Sequence, residues 1–325
     1  MKKLICMLLA VVVCMSIFTG CQKNDAVKDN EQDNVAQNEQ EEKEPNMLDG
    51  KKIIFIGNSF TYYGETVLEK VPTILEQSQR INDEGFFYQL CKANGAEVAV
   101  TNWTFAAHSL EDLFGGNCQA DRGCDGVDHK SYLVDKQYDY VVIQEGTRGS
   151  ATTDVLENCR PVMEFFREAN PDAKFVFLAH HNVHRNQYAW RSTMKNLESE
   201  NVTVVDWGAL ICDILYYGTE VPESKLEYNE NTFIISKSES DGYHPNPLTG
   251  YITTLMTYCA ITGEDAVGQD YSFVEDKVTF TNFKNKYYTY NPQTNFDEVF
   301  ESESDMKGIQ TLIDQYLEAK AYRNY

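Results

Sequence analysis

From residue 51 onward, short apolar runs alternate with stretches of helical period. Residues 51–56 (KKIIFI), 97–102 (EVAVTN), 138–144 (YDYVVIQ), 174–179 (KFVFLA) and 202–207 (VTVVDW) are brief, β-branched and mostly apolar, which predicts five strands. Between and after them the spacing predicts helices over 66–79 (through Val67, Val71, Ile74 and Leu75), 156–169 and 191–199. A long apolar helix is predicted over 249–262 and an amphipathic terminal one over 306–321. Strands that are apolar at successive positions are buried on both faces, and intervening helices supply the cover. The pattern therefore predicts an α/β protein with a central parallel sheet between helical layers. In such sheets chemistry collects at the carboxyl ends of the strands.

The N-terminal part has a different character. Met1-Lys2-Lys3 precedes a 15-residue apolar run from Leu4 to Phe18, too short for a comfortable membrane span and suited to an export signal. It ends in Phe18-Thr19-Gly20-Cys21, which resembles the lipobox of bacterial lipoproteins, in which the cysteine is diacylated and becomes the mature N-terminus. An ordinary secretory signal with a chance cysteine is the other reading. Residues 22–50 hold nine acidic and three basic side chains and almost nothing apolar, so they cannot bury enough surface to offset ordering entropy. The expected organisation is a signal peptide over 1–20, a lipidated Cys21 with an acidic tether over 21–50, and one domain over 51–325. A C-terminal extension of that domain begins near residue 270. The expected location is extracytoplasmic, held on a bacterial membrane by the lipid anchor.

Composition changes the picture in two ways. Of 325 residues, 42% are hydrophobic and 24% charged, which excludes a disordered chain and a multi-span membrane protein. A formal charge of −22, spread along the length, repels phosphate backbones and argues against nucleic-acid partners. Beyond Cys21, Cys118 and Cys124 flank a loop that a local disulfide would close. Cys91, Cys159, Cys212 and Cys259 lie on apolar stretches and read as buried thiols. Their spacings match no zinc signature, and no metal site is expected.

Candidate chemistry starts after the first strand, at Gly57-Asn58-Ser59-Phe60-Thr61. A serine on a strand-to-helix turn suits a nucleophile with an oxyanion site at the helix N-terminus. An N-cap serine needs the same position and does no chemistry. Far along the chain, Asp241 stands three residues before His244 in Ser240-Asp241-Gly242-Tyr243-His244-Pro245-Asn246. That spacing lets a carboxylate orient an imidazole and leave Nε2 as general base.

The GNSFT block, the VVIQE block and the D-x-x-H-P block resemble those of the SGNH (GDSL-type) hydrolases, in particular a subset with GNSFT in place of the usual GDS block. The resemblance covers roughly residues 51–265. It implies a flavodoxin-like three-layer α/β/α domain and a serine esterase working through a Ser-His-Asp triad without a cofactor. Ser59 matches the nucleophile, His244 the base and Asp241 its orienting partner. For the oxyanion hole the resemblance implies Ser59 N–H, a backbone N–H at Ala107 where the family carries glycine, and a side-chain amide. Gln144 is the candidate for that amide, while a gapless match sets Arg148 there. The substrate class implied is an acetylated extracellular glycan. A non-catalytic glycan- or solute-binding lipoprotein on the same fold is the alternative.

Other features admit two readings each. His180, His181 and His184 follow the fourth strand and suit a cleft wall or a metal. Asp121, Asp125 and Asp128 suggest a calcium loop but lack its alternate-residue spacing, as a solvated acidic loop would. Tyr62 and Tyr63 suit either sugar stacking or packing. His108 and His129 have no evident sequence partner.

Overall fold

The computed structural model describes residues 45–67, 85–115, 126–145, 154–185, 188–235, 244–277 and 296–324. Strands β1 (Lys52–Gly57), β2 (Ala99–Thr104), β3 (Tyr140–Ile143), β4 (Lys174–Leu178) and β5 (Thr203–Val205) form a parallel sheet in the order β2-β1-β3-β4-β5. This is the flavodoxin-like order, and it reverses direction at β1 and β3, where such sheets open a crevice at their carboxyl edge. The helices in chain order are α1 (Ser59–Tyr62), α2 (Phe86–Ala93), α3 (Leu110–Phe114), α4 (Val155–Arg167), α5 (His181–Arg185), α6 (Tyr188–Thr193) and α7 (Trp207–Tyr216). They continue with α8 (Glu230–Phe233), α9 (Pro247–Thr262), α10 (Ser272–Lys277), α11 (Phe296–Glu301) and α12 (Glu303–Ala319).

The period of two along the strands divides the apolar side chains between two cores. Ile53 and Phe55 of β1, Val142 of β3, and Val176 and Leu178 of β4 pack with α2, α7, α9 and α12. Ile54 and Ile56, Val141 and Ile143, Phe175 and Phe177 face the other way, against α3, α4, Val183 and Trp190. The three-layer α/β/α architecture expected from the pattern is therefore present. Helix α9 is buried on all sides from Pro247 to Cys259. Within it Thr253 and Thr257 donate to the carbonyls one turn back, at 2.8 and 2.6 Å, while the buried Thr254 hydroxyl finds no partner among the described residues.

Boundaries differ from the expectation at several places. β2 runs two residues later than 97–102. The predicted helix over 191–199 is split into α6 and a 3-10 turn, Met194–Glu200. Helices α2, α3 and α7 were not expected, and the predicted fifth strand stops at Val205, before Trp207 opens α7. Most of the helix predicted over 66–79 lies outside the described residues.

The packed unit reaches further back than residue 51. Residues 44–325 form one unit, in which Leu48 is fully buried and Asn46 Nδ2 donates to Tyr258 Oη at 2.7 Å. The signal, Cys21 and the tether up to residue 44 lie outside the described residues. The segment after 270 is no appendage: Met306, Ile309, Leu312 and Ile313 of α12 belong to the same core as α9. Gln310 Nε2 also donates to Tyr251 Oη and to the Gln269 carbonyl.

One close approach couples the loop after α1 to α9. A Cβ on residue 250 would run into the Gly64 carbonyl, and one on residue 64 would lie 2.7 Å from Gly250 Cα. Thr66 Oγ1 donates to the Gly250 carbonyl at 3.2 Å beside this crossing. Gly250→Ala is expected to destabilise the protein by about 1–3 kcal/mol or more through overpacking against backbone that has nowhere to move. An unchanged denaturation midpoint in urea would refute the crossing.

Candidate active site

The turn after β1 is built on Gln144 at the end of β3. A Cβ on Gly57 would fall 2.8 Å from the Gln144 carbonyl oxygen and 2.9 Å from its Oε1, so only glycine fits. Gln144 Oε1 accepts from Asn58 N–H at 3.1 Å and from Thr61 Oγ1 at 3.0 Å. Asn58 then caps α1, its Oδ1 accepting from Phe60 N–H, while its Nδ2 donates to the His108 carbonyl at 2.9 Å. That last bond ties the turn after β1 to the turn after β2. Because Asn58 is the cap, the capping reading of Ser59 is corrected. Ser59 is the first residue of the helix, and its N–H makes no hydrogen bond among the described residues, as expected for a first-turn donor.

His244 reaches Ser59 from 185 positions away, with Nε2 2.7 Å from Oγ. Both residues are buried, at 7% and 9% exposure. The backbone around His244 is pinned on both sides. Ile235 N–H donates to the His244 carbonyl, and Asn246 N–H donates to the Phe233 carbonyl. Asn246 caps α9 through Thr249 N–H and donates from Nδ2 to the Thr232 carbonyl. The imidazole lies face to face with Tyr63, with ring centroids 4.0 Å apart and planes 17° apart. Phe60 lies 5.2 Å away at 40°. Asp241 lies outside the described residues.

Of the proposed oxyanion donors, Ala107 has φ of 60°, the left-handed region that glycine favours, and its N–H makes no hydrogen bond among the described residues. Gln144 does something else. Its Oε1 is taken by Asn58 and Thr61, its Nε2 donates to the Glu145 carbonyl, and it is 1% exposed. In this structure the expected side-chain donor is a buried brace beneath the turn, its amide engaged with the Glu145 carbonyl. Arg148 lies outside the described residues, as do Cys118, Cys124, Asp121 and Asp125.

The histidines after β4 do not form an open cleft wall, since all three are at most 4% exposed. His184 Nε2 lies 2.7 Å from Asp206 Oδ1, which also accepts from Ala209 N–H at the start of α7. His181 packs near Phe60 and Trp207. His180 stacks on Phe60 at 4.4 Å and 19°. Burial pushes its imidazole down to about 3, against an opposing hydrogen bond from the Glu145 backbone, so it is neutral at ordinary pH. Among the described residues no group of three or more His, Cys, Asp or Glu is set to hold a metal. His108 and His129 meet each other at 4.7 Å beside Phe105, each with Nδ1 on a nearby backbone carbonyl. Cys91, Cys159, Cys212 and Cys259 are buried free thiols. Tyr62 is core, and Tyr63 has a face against His244, which removes that face as a sugar platform.

Phe60 was missed from the sequence and Tyr63 was read only as sugar stacking or packing, although the two are three residues apart, which places them on one side of a helical turn facing the imidazole.

No family model matches the chain, and no curated protein matches it. Solved structures do. The chain is similar to a putative GDSL-like lipase from Parabacteroides merdae, at 16% identity and a TM-score of 0.41 over 67% of this chain and 98% of that one. It is similar to a catalytic mutant of Axe2, an acetylxylan esterase from Geobacillus stearothermophilus, at 15% identity and a TM-score of 0.43 over 67% and 97%. It is also similar to a Clostridium thermocellum family 3 carbohydrate esterase, at 9% identity and a TM-score of 0.40 over 66% and 99%.

Burial of His180 has a consequence for acid stability. Above about 6.5 the ring is neutral in both folded and unfolded chains. As pH falls from there toward 3, the unfolded chain takes a proton that the folded protein refuses, so stability is lost through that window. Relative to His180→Phe, which keeps the stack and loses the titration, the wild type should lose about 1.4 kcal/mol per pH unit between roughly pH 6 and 4. Parallel stability curves for the two proteins would contradict a buried neutral His180.

Proposed function

We propose that the protein is a serine esterase that removes O-acetyl groups from extracellular glycans. The observation that carries this reading is the 2.7 Å contact between Ser59 Oγ and His244 Nε2, on a turn whose capping is done by Asn58. His244 accepts the Ser59 proton as Oγ attacks the ester carbonyl, and Asp241, three residues before it, is assigned to hold the imidazole from the Nδ1 side. The N–H groups of Ser59 and Ala107 receive the tetrahedral oxyanion. The alcohol leaves with the proton from His244, and water activated by the same imidazole then hydrolyses the acyl-Ser59 ester.

Asn46, Leu48 and Asp49 pack at the amino edge of the sheet, Asn46 on the Asn94 carbonyl and Asp49 on Glu97 N–H. Ser59 stands at the carboxyl edge, beyond the other end of β1. With Cys21 as the lipidated residue, residues 22–44 would give the domain a leash of up to about 80 Å if fully extended.

The test is p-nitrophenyl acetate hydrolysis followed by acetate release from acetylated xylan. Ser59→Ala and His244→Ala should each lower kcat by about 10³-fold or more. Ester turnover that survives in Ser59→Ala, with circular dichroism unchanged, would exclude Ser59 as the nucleophile. Absence of turnover on every acetyl ester would shift the assignment to a glycan-binding protein on the same fold.

A further inference from the structure

The helix that carries Ser59 ends in a C-cap residue, Tyr63, whose ring lies against His244. Tyr63 N–H donates to the Ser59 carbonyl at 3.0 Å, so the two residues belong to one turn and move together. Its phenol ring lies against His244, 4.0 Å centroid to centroid and within 17° of parallel, while Phe60 on the same side of the turn approaches at 5.2 Å. From this geometry, and resting on the esterase reading, we propose that Tyr63 is a positioning residue that fixes the plane of the His244 imidazole for proton exchange with Ser59.

The physical need is specific. The hydrogen bond that Oγ–H gives to Nε2 fixes where one ring atom points and holds the tilt of the ring plane only weakly. The in-plane lone pair on Nε2 points at Oγ only when the ring plane contains it. A flat surface against one face fixes that tilt, which is an orientation effect of the kind that governs proton transfer rates. The same contact changes in strength during the reaction. When His244 takes the proton it becomes an imidazolium, and the electron-rich face of a phenol attracts a cation more than a neutral ring. The interaction thus favours the charged form near the transition state over the resting form, which is the condition for raising kcat. Tyr63 is itself held in place by the loop that follows it, through the crossing of Gly64 and Gly250. His180, stacked on the neighbouring Phe60, stays uncharged and adds no competing positive charge.

The experiment compares full-length wild type, Tyr63→Phe and Tyr63→Leu. Three readings are taken: kcat and KM on p-nitrophenyl acetate, the rate at which a phosphonate fluoride labels Ser59, and the His244 ring-proton shifts by NMR in a Ser59→Ala background. Tyr63→Leu should lose about tenfold in kcat and in labelling rate with KM nearly unchanged, and Tyr63→Phe should stay within about twofold of wild type. The His244 ring protons should move downfield in Tyr63→Leu alone, because a stacked ring shields them. Full kcat in Tyr63→Leu overturns the proposal. So does a loss in Tyr63→Phe as large as that in Tyr63→Leu, since the hydroxyl would then be the active group. So do His244 shifts that ignore the leucine substitution. A wild type inert to both ester and phosphonate sinks the esterase reading and the clamp's purpose with it, whereas an active wild type matched by Tyr63→Leu sinks the clamp alone.

Discussion

The crossing of two glycines sets the distance on which the site depends. Ser59 and His244 are 185 residues apart in the chain, and nothing in their local segments requires them to meet. The loop after α1 and the first turn of α9 touch backbone to backbone at Gly64 and Gly250, and each stands five or six residues from its reactive partner. Backbone contact has no rotamer freedom to absorb, so it transmits position with little slack. The cost is that neither position accepts a side chain. A site aligned this way is intolerant of small shifts, since a displacement of about 1 Å can cost on the order of 10²-fold in rate.

Beneath the nucleophile turn lies a second constraint of a different kind. Gln144 is buried at the end of β3, and its carbonyl and amide would each carry a desolvation penalty of about 1–3 kcal/mol if left unpaired. Asn58, Thr61 and the Glu145 carbonyl satisfy them, and in return the turn after β1 is held to β3. Asn58 then relays that fixation to the turn after β2 through the His108 carbonyl, which bears on how Ala107 presents its N–H. The capping requirement, the glycine requirement at position 57 and the buried amide are one arrangement. Freeing Ser59 from capping is its chemical consequence.

How much of this was legible follows from the kind of signal each residue carries. β1, β3 and β4 were readable because central strands buried on both faces must be apolar at every position, as Ile53 to Ile56 are. β2 was misplaced by two residues because its end is polar: Asn102 and Thr104 are buried, and Asn102 Oδ1 accepts from both N–H and Oγ1 of Thr104. Helix α7 escaped notice because its wholly apolar WGALI opening continues directly from a strand, and periodicity cannot separate the two in a buried run. Ser59 and His244 were singled out through motif and spacing, and the structure brings their side chains together. Gln144 was singled out at a strand end, and in the structure its amide braces the turn beneath Ser59. A strand-end amide can point up into a crevice or down beneath a neighbouring turn, and the choice depends on the parallel register of β1 against β3, which sequence alone does not display.

The histidines after β4 show why residue type misleads when burial is unknown. Imidazoles at a carboxyl edge invite a metal or a cleft, yet each is withdrawn from solvent and committed to packing, His184 on Asp206 and His180 on Phe60. Their usefulness to the site is electrostatic. On the proposed esterase reading, a second imidazolium near His244 would oppose the charge formed as Ser59 gave up its proton, and at low effective dielectric that opposition would be strong. Burial, which holds His180 down to about 3, keeps that ring neutral at ordinary pH. In the proposed reaction the positive charge on His244 would have the face of Tyr63 beside it and no cationic histidine at position 180 to oppose it. On that reading, an apolar, aromatic surround that looks like mere core around Phe60 would let His244 act as the base while His180 is held inert.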